Sequence, residues 1–181
     1  MSVLSGKNIL LVIPKSQFDE EELFPVRDYF QEAGARVLIL SKSGQECRGM
    51  QKTRFQPDGM IVDWNKQEGI IAKYDAALVL GGRGASKSLW DDPILPQILT
   101  DHLRAEKVIG AVGTGVVVLA RGSLLINEFT APEDEKVQAE LEECGLVADD
   151  DEVVSAGNVV TAKGAQSINE FADAVKLLLL G

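Results

Sequence analysis

Apolar positions along this chain follow two rhythms. Short unbroken runs occur at Asn8–Ile13, Arg36–Leu40 and Ala76–Leu80, and again from Lys107 into Val112. None of them alternates with polar residues, the pattern of parallel strands covered on both faces. Between the runs, apolar residues recur every three or four positions. A stretch that opens with acids at Asp19 continues through Leu23, Val26 and Phe30 and stops at Gly34, where a helix C-cap belongs. A second helix is predicted from near Asp92, with Pro93 in its first turn and Ile94, Ile98 and Leu99 turned inward. An acidic helix is predicted over Glu133–Glu143. The last places Ile168, Phe171, Ala172, Val175, Leu178 and Leu179 on one face, with Ser167 and Glu170 spaced as a capping box.

The remaining segments are short. Cys47 to Trp64 reads as extended pieces around Pro57, Asp58 and Gly59, and Glu152 to Ala162 as two strands turning through Ser155, Ala156, Gly157 and Asn158. Strands alternating with helices imply a doubly wound parallel α/β sheet, with ligands taken beyond the carboxyl ends of the strands. With no repeat, linker or low-complexity segment, the expectation is a single domain over 1–181.

Composition removes several function classes. A net charge of −10 without a Lys/Arg cluster argues against nucleic acid as a partner. No apolar run approaches the roughly 20 residues of a membrane helix, and the run near the start is shorter than a signal h-region, so the reading is cytoplasmic and free of membrane. Cys47 and Cys144 are far apart and His102 is the lone histidine, which leaves no zinc ligand set. Both cysteines read as inert free thiols, with Cys47 exposed in a polar segment, and His102 as a surface or packing residue. No metal or cofactor is expected.

Chemistry is concentrated in Lys107–Ala120, where a buried run meets Gly113, Thr114 and Gly115 and resumes as a helix. Strand, tight turn and helix is the arrangement that lifts a nucleophile into a cleft. Here its tip is glycine. Two more loops should converge on it, one holding Glu20, Glu21 and Glu22, the other running from Gly81 to Ser86. The segment Gly81–Ser88 nearly fits a phosphate loop but has Ser86 where a glycine is needed.

FDEEEL at 18–23, YDAALVLGGR at 74–83, KVIGAVGTG at 107–115 and GNVVTAKG at 157–164, in that order before an amphipathic C-terminal helix, resemble the DJ-1/PfpI superfamily, related to the class I glutamine amidotransferase fold. The resemblance implies a flavodoxin-like sandwich with a mostly parallel sheet, assembled as a homo-oligomer. It also implies that Glu22 faces the elbow, where it would tune a cysteine, and that the Gly81 and Gly82 amides approach an oxyanion or carboxylate. The family elbow reads alanine, isoleucine, cysteine, histidine or alanine, then glycine. Here it reads Ala111 to Gly115, so the cysteine maps to Gly113 and the histidine of the protease-like branch to Thr114. Many relatives also have proline where this chain has Leu80.

The expected function is therefore a member without the nucleophile, a non-catalytic small-molecule-binding, regulatory or assembly protein. The alternative is a cysteine-independent hydrolase or glyoxalase-like lyase with Glu22 as general base. Thr114 would need a carboxylate in hydrogen-bond reach to act as nucleophile. Glu22, deprived of a thiol partner, is expected to hold its proton and donate to a ligand carboxylate.

Overall fold

Strands buried on both faces must sort their side chains between two cores, and β1 (Asn8–Val12) does this residue by residue. Leu10 and Val12 enter one apolar cluster, Ile9 and Leu11 the other. The computed structural model describes residues 2–181. After β1 come α1 (Glu20–Glu32), β2 (Arg36–Ser41), a small hairpin β3 (Cys47–Arg48) and β4 (Arg54–Phe55), and β5 (Gly59–Met60). A 3₁₀ stretch (Ile61–Lys66) precedes β6 (Ala76–Val79), α2 (Ala85–Ser88), α3 (Leu95–Arg104) and β7 (Val108–Val112). The chain continues through a 3₁₀ turn (Gly113–Gly115), α4 (Val116–Arg121), α5 (Glu135–Glu143), β8 (Val153–Ala156), β9 (Val159–Ala162) and α6 (Ile168–Leu180).

The seven-stranded sheet has the order β5-β2-β1-β6-β7-β9-β8. All neighbours are parallel except β8 against β9, the hairpin expected around Gly157. Helices α1 and α6 supply Leu23, Val26, Phe30, Phe171 and Val175 to one core, while α3, α4 and α5 cover the opposite face with Ile98, Leu119 and Leu141. This is the flavodoxin-like, doubly wound α/β sandwich. From β1 the chain runs through α1 to β2 and from β6 through α3 to β7, on opposite faces of the sheet, so the winding reverses between β1 and β6 and a ligand crevice is placed at the strands' carboxyl ends.

Four local expectations are corrected. The helix expected near Asp92 begins at Leu95, because the Asp92 carboxylate accepts the N–H groups of Ile94 and Leu95 and Pro96 rather than Pro93 occupies the first turn. The acidic helix begins at Glu135, where the Asp134 carboxylate caps Lys136 and Val137. Ser167 caps nothing. Its hydroxyl donates to Glu152 at 2.7 Å, since a 3₁₀ turn over Ala165–Ser167 leads into α6. Cys47 is buried, because the hairpin folds its thiol inward and lets it donate to the Phe55 carbonyl, whereas Cys144 is exposed. Among the described residues no helix is long and apolar enough to cross a membrane.

His102 is a packing residue and fully buried. Its Nδ1 lies 2.7 Å from the Ile98 carbonyl and its Nε2 accepts the Tyr74 N–H at 3.1 Å, which defines a neutral ring protonated on Nδ1. Burial pulls its pKa below the ordinary value, with Lys73 and Lys107 acting in the same direction against the Ile98 carbonyl and Asp101. The unfolded chain thus binds this proton more readily than the folded one. The associated stability is complete above the ordinary histidine pKa of about 6.5 and is lost as pH falls below it. Thermal melts between pH 7.5 and 5 should show a steeper loss of Tm for wild type than for His102→Gln, whose amide can make both hydrogen bonds without titrating.

Candidate ligand-binding cleft

The loop after β1 and the loop after β6 meet so closely that only glycine fits between them. Gly82 has φ +134°, and a Cβ there would lie 2.3 Å from the Gln17 carbonyl oxygen. Asp19 caps α1 through the Glu21 N–H at 2.9 Å, and its own N–H donates to the Gly81 carbonyl at 3.0 Å. That docking brings the first turn of α1 to the end of β7. Glu22, 4% exposed, accepts the Gly81 N–H through Oε1 at 2.7 Å. Its Oε2 lies 2.6 Å from where a Cβ on Gly113 would stand. Gly113 itself has φ +59°, a conformation in which any other residue is strained. The carboxyl thus occupies the space a side chain at the tip of the turn would need.

Thr114 is committed to the backbone. Its hydroxyl accepts the Gly82 N–H and donates to the Gly82 carbonyl, both at 3.0 Å, and its carbonyl receives the Trp90 indole N–H at 2.9 Å. The Gly81 and Gly82 amides, expected to face an oxyanion, are therefore satisfied by Glu22 and Thr114. The three loops do converge as expected. They open on a cleft of about 880 Å³ lined by Glu22, Gly82, Gly113 and Thr114 together with Trp90, Met50 and Lys163.

The three consecutive glutamates do three jobs. Glu21 is exposed on the cleft rim. Glu20 is buried and accepts the Gln51 N–H at 2.8 Å and the Thr53 N–H at 3.2 Å. Burial alone would raise its pKa, but the helix-start backbone and those loop N–H groups together outweigh it and hold the carboxyl below its usual range. It anchors the β3–β4 hairpin, whose Met50 reaches the cleft and donates its N–H to the Phe18 carbonyl at 2.8 Å. Glu22 is driven the other way, up to about 8, first by burial and then by the Asp19 charge, against the Gly81 hydrogen bond. At neutral pH it keeps its proton.

Sequence reasoning missed Met50, Trp90 and Lys163. Their only signals were an aromatic and a cation near predicted loops and a methionine in an irregular segment. Neither cysteine lines the cleft, and His102 lies in the core on the far side of the sheet from α1. Among the described residues no group of three or more His, Cys, Asp or Glu side chains is arranged to hold a metal ion.

The DJ-1/PfpI family matches residues 7–176. The chain belongs to this family. It is 31% identical over 162 residues to an uncharacterised protein of Methanocaldococcus jannaschii, covering 88% of this chain and 76% of that one. It is also 26% identical over 166 residues to a glutathione-independent glyoxalase of Caenorhabditis elegans, covering 92% and 85%. Among solved structures, a ThiJ/PfpI domain protein from Brachyspira murdochii is similar with a TM-score of 0.83 at 27% identity, over 96% of this chain and 98% of the other. Drosophila melanogaster DJ-1beta shares the fold with a TM-score of 0.80 at 21% identity, over 97% and 91%.

Two outcomes follow. Because the folded protein binds the Glu22 proton more tightly than the unfolded chain, stability conferred by the neutral acid is intact below the ordinary carboxyl pKa of 4.5 and is lost as pH rises through about 8. Glu22→Gln should match wild type at pH 5 and exceed it by on the order of 3–5 kcal/mol at pH 9.5 in urea unfolding, and carboxyl ¹³C NMR should place the Glu22 midpoint near 8. Glu20→Gln should cost about 1–3 kcal/mol and speed amide exchange at Gln51 and Thr53, because an uncharged oxygen accepts those N–H groups more weakly.

Proposed function

We propose that this chain is a small-molecule-binding member of the DJ-1/PfpI family that works without a nucleophilic cysteine. One observation carries the reading: the tip of the elbow is Gly113, and the Glu22 carboxyl fills the space that a side chain there would need. Covalent addition to a carbonyl requires a nucleophile and a base to activate it. The Thr114 hydroxyl gives its proton to the Gly82 carbonyl, and no histidine or cysteine is among the residues lining the cleft. What the cleft offers is a binding chemistry. Glu22 brings a neutral carboxyl, hydrogen-bonded to Asp19, beside Gly113, and a ligand oxygen there competes with Asp19 for its proton, while Trp90 and Met50 supply apolar surface.

A second reading has its own support. A carboxyl whose pKa is pushed to about 8 can exchange a proton near physiological pH, and Glu22 would then act as general base on a water in the cleft. The glyoxalase among the relatives makes methylglyoxal the probe of choice. Wild type is expected to turn over neither methylglyoxal nor acetamide above the level of Glu22→Gln. Turnover that depends on Glu22 and rises with pH through 8 would overturn the binding reading in favour of the second. In a Cys144→Ser background, Gly113→Cys should displace the Glu22 carboxyl from its 2.6 Å contact with the new Cβ and gain an iodoacetamide-reactive thiol that the parent lacks, with a folding cost of about 1–3 kcal/mol from the positive φ.

A further inference from the structure

Strands β7 and β9 are parallel neighbours in register, with Val112 opposite Ala162. The next residue of each strand therefore leaves the sheet beside the other: Gly113, under the Glu22 carboxyl, and Lys163. Neighbouring strands lie about 5 Å apart, so the two loops present their groups to the same small region of the cleft, which both residues line. Lys163 differs from the other cations there. Arg83, Lys87 and Lys136 are exposed, whereas the Lys163 side chain is only 14% exposed. Its ion partner is Glu133, at 3.7 Å and with a side chain 84% exposed, which is a weak hold. Glu152 also feels its charge, but that carboxylate is taken by Ser167 and Gln166.

The acids on the lining offset less than their number implies. Asp19 and Asp134 each have an oxygen engaged by N–H groups at the start of a helix. The chain as a whole carries −10, yet this wall holds a largely buried lysine side chain that leaves the sheet next to the turn the Glu22 carboxyl faces. A short ligand satisfies both at once when one end is anionic and the other accepts a hydrogen bond. We infer that the cleft takes a small carboxylate bearing a second oxygen acceptor a few bonds away, with Lys163 selecting the anionic end and Glu22 donating to the other oxygen. This rests on the binding reading above and names its ligand class.

Trp90 lines the cleft, so its fluorescence reports occupancy. The probes are malonate, succinate, glutarate and adipate, each beside its uncharged diamide, at pH 6.5. Wild type should bind one of the shorter dicarboxylates at least tenfold, about 1.4 kcal/mol, more tightly than its diamide. Lys163→Gln should erase that preference, and Lys163→Arg should restore most of it. Equal dicarboxylate affinity in wild type and Lys163→Gln would overturn the inference. So would equal binding of acid and diamide by wild type; if that shared binding is abolished by Glu22→Ala, the binding reading survives alone. No response to any probe in wild type would count against both.

Discussion

The hydrogen bond from the Gly81 N–H to the Glu22 carboxyl ties together the parts on which the cleft depends. It joins the first turn of α1 to the loop after β6, at the point where the sheet's winding reverses. The interaction needs Gly82 without a side chain, so that the two loops touch, and Asp19 as the cap that starts α1 at the right residue. Gly113 lets it settle without adjustment, because the second carboxyl oxygen lies 2.6 Å from where a Cβ would be. Each condition is a steric or capping requirement on one residue, and together they place a nearly buried acid over an empty turn.

A buried carboxyl that accepts the Gly81 N–H and shares its proton with the Asp19 carboxylate is an unusual occupant of such a place. Ionised, it would face the Asp19 charge with little water to offset it, and the cost of desolvation is what drives its proton affinity up. Neutral, it is a compact polar group with a donor and an acceptor, able to fill a gap and still offer a proton to a ligand. Thr114 completes the enclosure by closing on Gly82. The loops are thereby tied to one another on their inner side, while the outer wall, formed by Met50, Trp90 and Lys163, comes from three separate segments.

Most of the fold was legible because periodicity reports burial directly. Unbroken runs marked the central strands, and three-four spacing marked α1, α3 and α6. The errors fell where a side chain chooses between local and distant partners. Ser167 has the sequence of a cap but bonds to Glu152, and Asp92 shifts a helix start by accepting two N–H groups. Cys47 sits among polar residues yet is buried, because a two-strand hairpin folds its thiol inward. In the site, Glu22, Gly113 and Thr114 could be named from the order of motifs. The occupation of the Gly81 and Gly82 amides could not, since it depends on how side chains from other loops settle on them.

By itself, then, the sequence determined the layering of the sheet, the family and the absence of a side chain at Gly113, since these follow from residue types and their spacing. Only the tertiary structure decided that the vacancy is filled by Glu22, that the acid is neutral, that Glu20 turns away to hold a hairpin, and that Lys163 emerges beside the turn. Those outcomes depend on contacts between residues 31 to 91 positions apart, and on the loss of water around them. Neither is encoded in any single stretch of chain.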